Sequence, residues 1–148
     1  MQFIHLIEGV YSKESCNYLI EFFEKNINLA KPGGAGKIIK LNNLEICLDI
    51  DFKNPSGFGL ESILSNMISE YKEKFPLIDS STGKWCVYPN CQFAKFEPNN
   101  YYSYIHCEHG PNYANRIFGW MIYLNDIKEG GGTYFHHQNF TTKPVAGN

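Results

Sequence analysis

Apolar side chains recur along this chain in two rhythms, and the rhythm changes near residue 85. Residues 2–10 alternate enough to predict a leading strand. Ser12 is a suitable N-cap for a helix from about Lys13 to Lys25. Its apolar positions Cys16, Leu19, Ile20 and Phe23 fall at i, i+3, i+4 and i+7. The run from Pro32 to Gly36 reads as a flexible loop. Leu44, Ile46, Leu48, Ile50 and Phe52 alternate, which predicts a half-buried strand over 44–52. A second helix is expected from about Gly57 to Phe75, with Leu60, Ile63, Leu64, Met67, Ile68 and Tyr71 in one apolar stripe ended by Pro76. That stripe is the face of a helix packed on a sheet rather than a cofactor site. Beyond it the pattern shortens into β-like segments at 85–88, 91–97, 101–108, 115–124, 133–136 and 139–143. Pro98-Asn99-Asn100, Gly110-Pro111-Asn112 and Gly130 to Gly132 punctuate them. Two helices ahead of many short strands predict an α+β, mainly β, domain with helices packed on one sheet face.

The 148 residues suit a single domain, with 1–84 as a strand and helix support and 85–148 as the strand core. Aromatics make up 16%, which favours pleated surfaces. A net charge of −2 gives no basic face to neutralise phosphates, so no nucleic-acid partner is expected. No apolar run is long enough to span a membrane, and Met1 to His5 does not open a signal peptide. Five cysteines without a disulfide framework suit a reducing, cytoplasmic setting. Cys86 and Cys91 lack two further convincing zinc ligands and read as small apolar residues. Asn-, Ile-, Lys- and Tyr-rich usage points to an AT-rich genome, viral or bacterial, with a virus-encoded protein acting in host cytoplasm as one case. No signal for an oligomeric state is legible.

The chemistry concentrates at His106-Cys107-Glu108. On a strand, residues i and i+2 share a face, so His106 and Glu108 would project together with Cys107 turned away. An imidazole and a carboxylate so placed supply two corners of the facial triad that holds non-haem iron. A lone His-x-Glu more often marks an ordinary histidine beside a charge. Its surroundings add weight: Gln92, Phe96-Glu97-Pro98-Asn99, Tyr102 or Tyr104, Arg116, Tyr123-Leu124-Asn125, Gly130-Gly131-Gly132-Thr133-Tyr134-Phe135 and Pro144-Val145-Ala146-Gly147. In order and spacing over residues 92–147, this string resembles the iron(II)- and 2-oxoglutarate-dependent dioxygenases, in their prolyl 4-hydroxylase-like branch.

The resemblance implies a double-stranded β-helix, or jelly roll, buttressed by the N-terminal helices. It implies His106 and Glu108 as iron ligands, with Gln92, Tyr104 and Tyr123 toward the co-substrate and Arg116 near the substrate mouth. The implied reaction couples Fe(II), 2-oxoglutarate and O2, with ascorbate as supporting reductant. Hydrogen abstraction by a ferryl species and return of hydroxyl would hydroxylate a prolyl residue in a peptide or protein. Tyr123 equally suits a core aromatic with a satisfied hydroxyl, and Arg116 a solvated strand residue.

Departures from the family pattern set further expectations. Phe96 stands where the family has a tyrosine and cannot donate a hydrogen bond to 2-oxoglutarate. Gly132 replaces a glutamate, and Glu108 is one methylene longer than the commoner aspartate. The family's distal histidine and basic co-substrate anchor have no counterpart up to Asn148, as if about 30–50 residues, two or three strands, lay beyond. His136 and His137 are the alternative third ligands, and His109 reads as a loop histidine. Two other classes stay open: a catalytically silent binding module on the same scaffold, and a cupin-like metal protein drawing on His136 and His137. A fold short of its last strands would expose edges and associate.

Overall fold

The computed structural model describes residues 3–32, 45–51, 59–82, 86–87, 90–102, 104–111 and 114–148. Helix α1 (Lys13–Lys25) begins where expected, with the Ser12 side chain accepting from Ser15 N–H. Cys16, Leu19 and Phe23 form its buried stripe. A short 3-10 turn (Ile27–Leu29) leads into strand β1 (Lys31–Pro32). The rest of the loop expected from Pro32 to Gly36 lies outside the described residues.

Strand β2 (Glu45–Asp51) falls within the expected 44–52 segment. Helix α2 (Leu60–Lys74) starts after Gly59, whose φ of +69° lies in the left-handed region. Leu60 and Leu64 are buried, with Ile63, Met67, Ile68 and Tyr71 half-buried beside them. A further short helix, α3 (Leu77–Thr82), follows Pro76, and the apolar pattern did not announce it.

Strand β3 (Asn90–Phe96) completes an antiparallel sheet of order β1-β2-β3. Its register sets Glu45 opposite Phe96 and Asp51 opposite Asn90. A separate hairpin joins β4 (Tyr134–Phe135) to β5 (Phe140–Thr141). The principal core holds Tyr11, Cys16, Leu19, Phe23, Leu60 and Cys91, with Phe93, Ile122, Leu124 and Ala146 packed against it.

Two expectations need correcting. Residues 3–10 carry no ladder and are pinned to α2 by side chains instead. Glu70 Oε1 lies 2.7 Å from His5 Nε2, Lys74 Nζ lies 3.0 Å from His5 Nδ1, and Tyr71 donates its hydroxyl to the Phe3 carbonyl at 3.2 Å. Phe3 and Leu6 stay mostly exposed, so their alternation reports no sheet face. Likewise, the described residues of 101–108 and 115–124 belong to no strand. Tyr104, Ile105, Trp120 and Met121 are left substantially exposed there.

The closing motif residues gather tightly. Gly147 N–H donates to the Tyr123 carbonyl at 2.8 Å, and Tyr123 N–H donates to the Asn148 carbonyl at 2.8 Å. Tyr11 N–H reaches the Gly147 carbonyl at 3.3 Å, and Ala146 N–H reaches Asp126 Oδ1 at 2.8 Å. Gly147 has φ +87°, and a Cβ there would collide with the Tyr11 carbonyl oxygen. Glycine is therefore required twice over, for conformation and for space.

Candidate metal centre

His106 lies on an irregular segment, yet the i, i+2 relation still turns its ring toward Glu108. His106 Nε2 sits 3.5 Å from Glu108 Oε1. His106 Nδ1 is 3.0 Å from the Tyr104 carbonyl oxygen. A carbonyl only accepts, so Nδ1 carries a proton in this contact, and in the neutral ring Nε2 then presents a lone pair. The Tyr102 ring packs edge-on against the imidazole, with centroids 4.8 Å apart. Cys107 turns aside and donates its thiol to the His109 carbonyl at 3.0 Å.

The second oxygen of Glu108 is engaged separately. Arg116 Nη1 donates to Oε2 at 2.9 Å. Gly119 passes close to the Glu108 stem, where a Cβ would lie 3.2 Å from Cγ. His106, Glu108 and Arg116 thus form a short chain of three half-exposed polar groups. Arg116 meets a candidate ligand here, a partnership its sequence position did not reveal.

These two donors suit a metal ion in part. Atoms 3.5 Å apart can both lie about 2.1 Å from one cation, subtending about 110°. Oε1 would serve as a single-oxygen ligand, since Oε2 faces Arg116. A third donor is not assembled: among the described residues no group of three His, Cys, Asp or Glu side chains could hold a metal ion.

The remaining sequence candidates are placed as follows. Tyr104 contributes its carbonyl, and its ring is about half exposed. Gln92 is exposed on β3, opposite Asp49. Tyr123 lies in a cluster of hydroxyls at the hairpin base. Its Oη accepts from Thr133 N–H at 3.1 Å and lies 2.6 Å from Thr142 Oγ1 and 3.0 Å from Thr133 Oγ1. This is the satisfied-hydroxyl arrangement weighed above. The two threonines flank the hairpin, and a 133/142 pairing inferred from the turn at 136–139 would have found them. Gly132 lies against the opposite side of that hairpin, where any Cβ would strike the Thr142 carbonyl oxygen. A glutamate side chain cannot be accommodated there without moving the strand.

His136 and His137 occupy the hairpin turn, exposed, with ring centroids 5.4 Å apart. His109 is exposed, as expected of a loop histidine. Cys16, Cys86 and Cys107 form no disulfide among the described residues. No helix among the described residues is long and apolar enough to cross a membrane. No protein-family model, curated protein or solved structure matches this chain.

Proposed function

We propose that the chain carries two corners of the iron site of a 2-oxoglutarate-dependent hydroxylase of the prolyl 4-hydroxylase-like kind, on a double-stranded β-helix scaffold, with peptidyl proline as substrate. One observation carries the reading. His106 Nε2 and Glu108 Oε1 face each other at 3.5 Å, a spacing that one cation can bridge. Iron, when bound with 2-oxoglutarate, supplies the oxidising chemistry that puts an oxygen atom from O2 on a C–H bond. The chain's own residues do the placing. The Tyr104 carbonyl fixes the His106 tautomer, Tyr102 braces the ring, and Arg116 leaves one Glu108 oxygen for the metal. The substrate choice rests on sequence resemblance alone.

A second reading is favoured by specific contacts. The Tyr123 hydroxyl is already engaged by Thr133 and Thr142, and among the described residues only two protein donors converge. Both features suit a silent binding module on the same scaffold.

Mn2+ titration followed by electron paramagnetic resonance separates the readings. The hydroxylase reading expects weak Mn2+ binding that is lost in His106→Ala and Glu108→Ala and tightened by 2-oxoglutarate. Binding indifferent to both substitutions removes the metal site. Binding indifferent to 2-oxoglutarate leaves the silent module. With Fe(II) and ascorbate the 148-residue chain should release little succinate, since two side chains hold iron weakly. Robust succinate release that disappears in His136→Ala or His137→Ala would assign the third corner to the hairpin turn.

A further inference from the structure

We infer that Arg116 is a positioning residue for the metal ligand Glu108, an inference that rests on the metal reading above. The free glutamate carboxylate has a broad terminal torsion, so its two oxygens ordinarily exchange places and directions. Here the Arg116 guanidinium takes Oε2 at 2.9 Å, and the absence of a side chain at Gly119 leaves room for the Glu108 stem, which a Cβ there would approach to 3.2 Å. The carboxylate is held through Oε2, and the oxygen left over is the one facing His106 Nε2.

Stability does not account for this contact. Both partners are nearly half exposed, with side-chain exposures of 42% and 48%. Ion pairs so placed contribute little to folding in water. Their effect lies in orientation: a carboxylate already immobilised loses less freedom when it ligates.

The arrangement opposes two effects, which makes it testable. A guanidinium within several ångströms of a divalent ion repels it, and at the dielectric of water its removal alone should tighten binding about tenfold. Loss of orientation acts the other way. Positioning as the dominant role therefore predicts an affinity change opposite in sign to simple electrostatics.

The experiment uses Mn2+ as the probe, the 148-residue chain, and the variants Arg116→Met and Arg116→Lys. Arg116→Met keeps most of the stem and removes charge and fork. At about 1 M salt, where the repulsion it relieves is screened, it should weaken Mn2+ binding about threefold. Arg116→Lys, which can still donate one hydrogen bond, should recover part of the loss. Thermal melts of both variants should match the wild type, as expected for exposed residues. Unchanged or tighter Mn2+ binding in Arg116→Met at about 1 M salt overturns the inference. His106→Ala is the separating control: if Mn2+ binds that variant as it binds the wild type, the metal reading itself has failed, whatever Arg116 does.

Discussion

Replacing Gly147 by alanine should destabilise the chain far more than the same change at Gly130 or Gly110, and the geometry supplies the scale. Gly147 has φ +87°, which costs an L-residue about 1–2 kcal/mol. Its missing Cβ is also the space occupied by the Tyr11 carbonyl oxygen, so the backbone must retreat. That retreat strains two hydrogen bonds, Tyr11 N–H to the Gly147 carbonyl at 3.3 Å and Gly147 N–H to the Tyr123 carbonyl at 2.8 Å. Losing them costs about 1 kcal/mol each. Alanine stiffens the unfolded chain and returns about 0.4–1 kcal/mol. The net is about 2–4 kcal/mol, or a fall in Tm of about 5–15 °C for a chain this long. Two glycines serve as internal standards. Gly130 shares the positive φ, at +76°, but has nothing within 4 Å of its would-be Cβ, so Gly130→Ala should cost about 1 kcal/mol. Gly110 has open space and no positive φ, so Gly110→Ala should be neutral or slightly stabilising. Differential scanning calorimetry of the three variants gives the ranking. A Gly147→Ala Tm within 2 °C of that for Gly130→Ala (about one-half to 1 kcal/mol on this scale) would refute the close approach at Tyr11.

Other outcomes are accessible to simple assays. Ser12→Ala removes the acceptor for Ser15 N–H and should cost about 1 kcal/mol in urea denaturation. The Ala146 N–H and the Lys13 ammonium hold the Asp126 carboxyl below its ordinary value of 3.8. A lowered folded pKa contributes stability above the ordinary value and loses it as pH falls through the folded one. The Tm gap between wild type and Asp126→Asn should accordingly close as pH drops below about 4; a gap that widens in acid would sink this reading. Burial pushes the Tyr11 hydroxyl from 10.0 up to about 12. A raised pKa gives stability that is complete below pH 10.0 and fades toward about 12. Ultraviolet titration of wild type against Tyr11→Phe should show one late-ionising tyrosine missing from the variant.

The helices were readable because their signals are local. Ser12 supplies the cap, and Cys16, Leu19 and Phe23 repeat at helical spacing, so α1 is determined by neighbours in sequence. Strand β2 was readable from strict alternation, though nothing in that alternation named β3 as its partner. Alternation failed at 3–10, where the partners are the side chains of Glu70, Tyr71 and Lys74 on a helix. The site divides in the same way. His106 and Glu108 stand two residues apart, and their approach follows from local geometry. Arg116 reaches Glu108 across eight positions and an intervening turn, which spacing alone does not encode. The threonines around Tyr123 depend on hairpin register, set by the turn at His136 to Asn139.

The stitching of Gly9 and Tyr11 to residues 147 and 148 also imposes a timetable on synthesis. The Gly9 N–H finds its acceptor, Asn148 Oδ1, 139 positions away. A helix such as α1 can coil within about a microsecond of leaving the ribosome. Its lead-in cannot be fastened until Gly147 has emerged, about 6–25 s after residue 25 at ordinary elongation rates. Through that interval the stripe of Cys16, Leu19 and Phe23 lacks part of its cover from Ile122, Leu124 and Ala146. The nascent chain should therefore be a client for holding chaperones until residues 122–148 arrive.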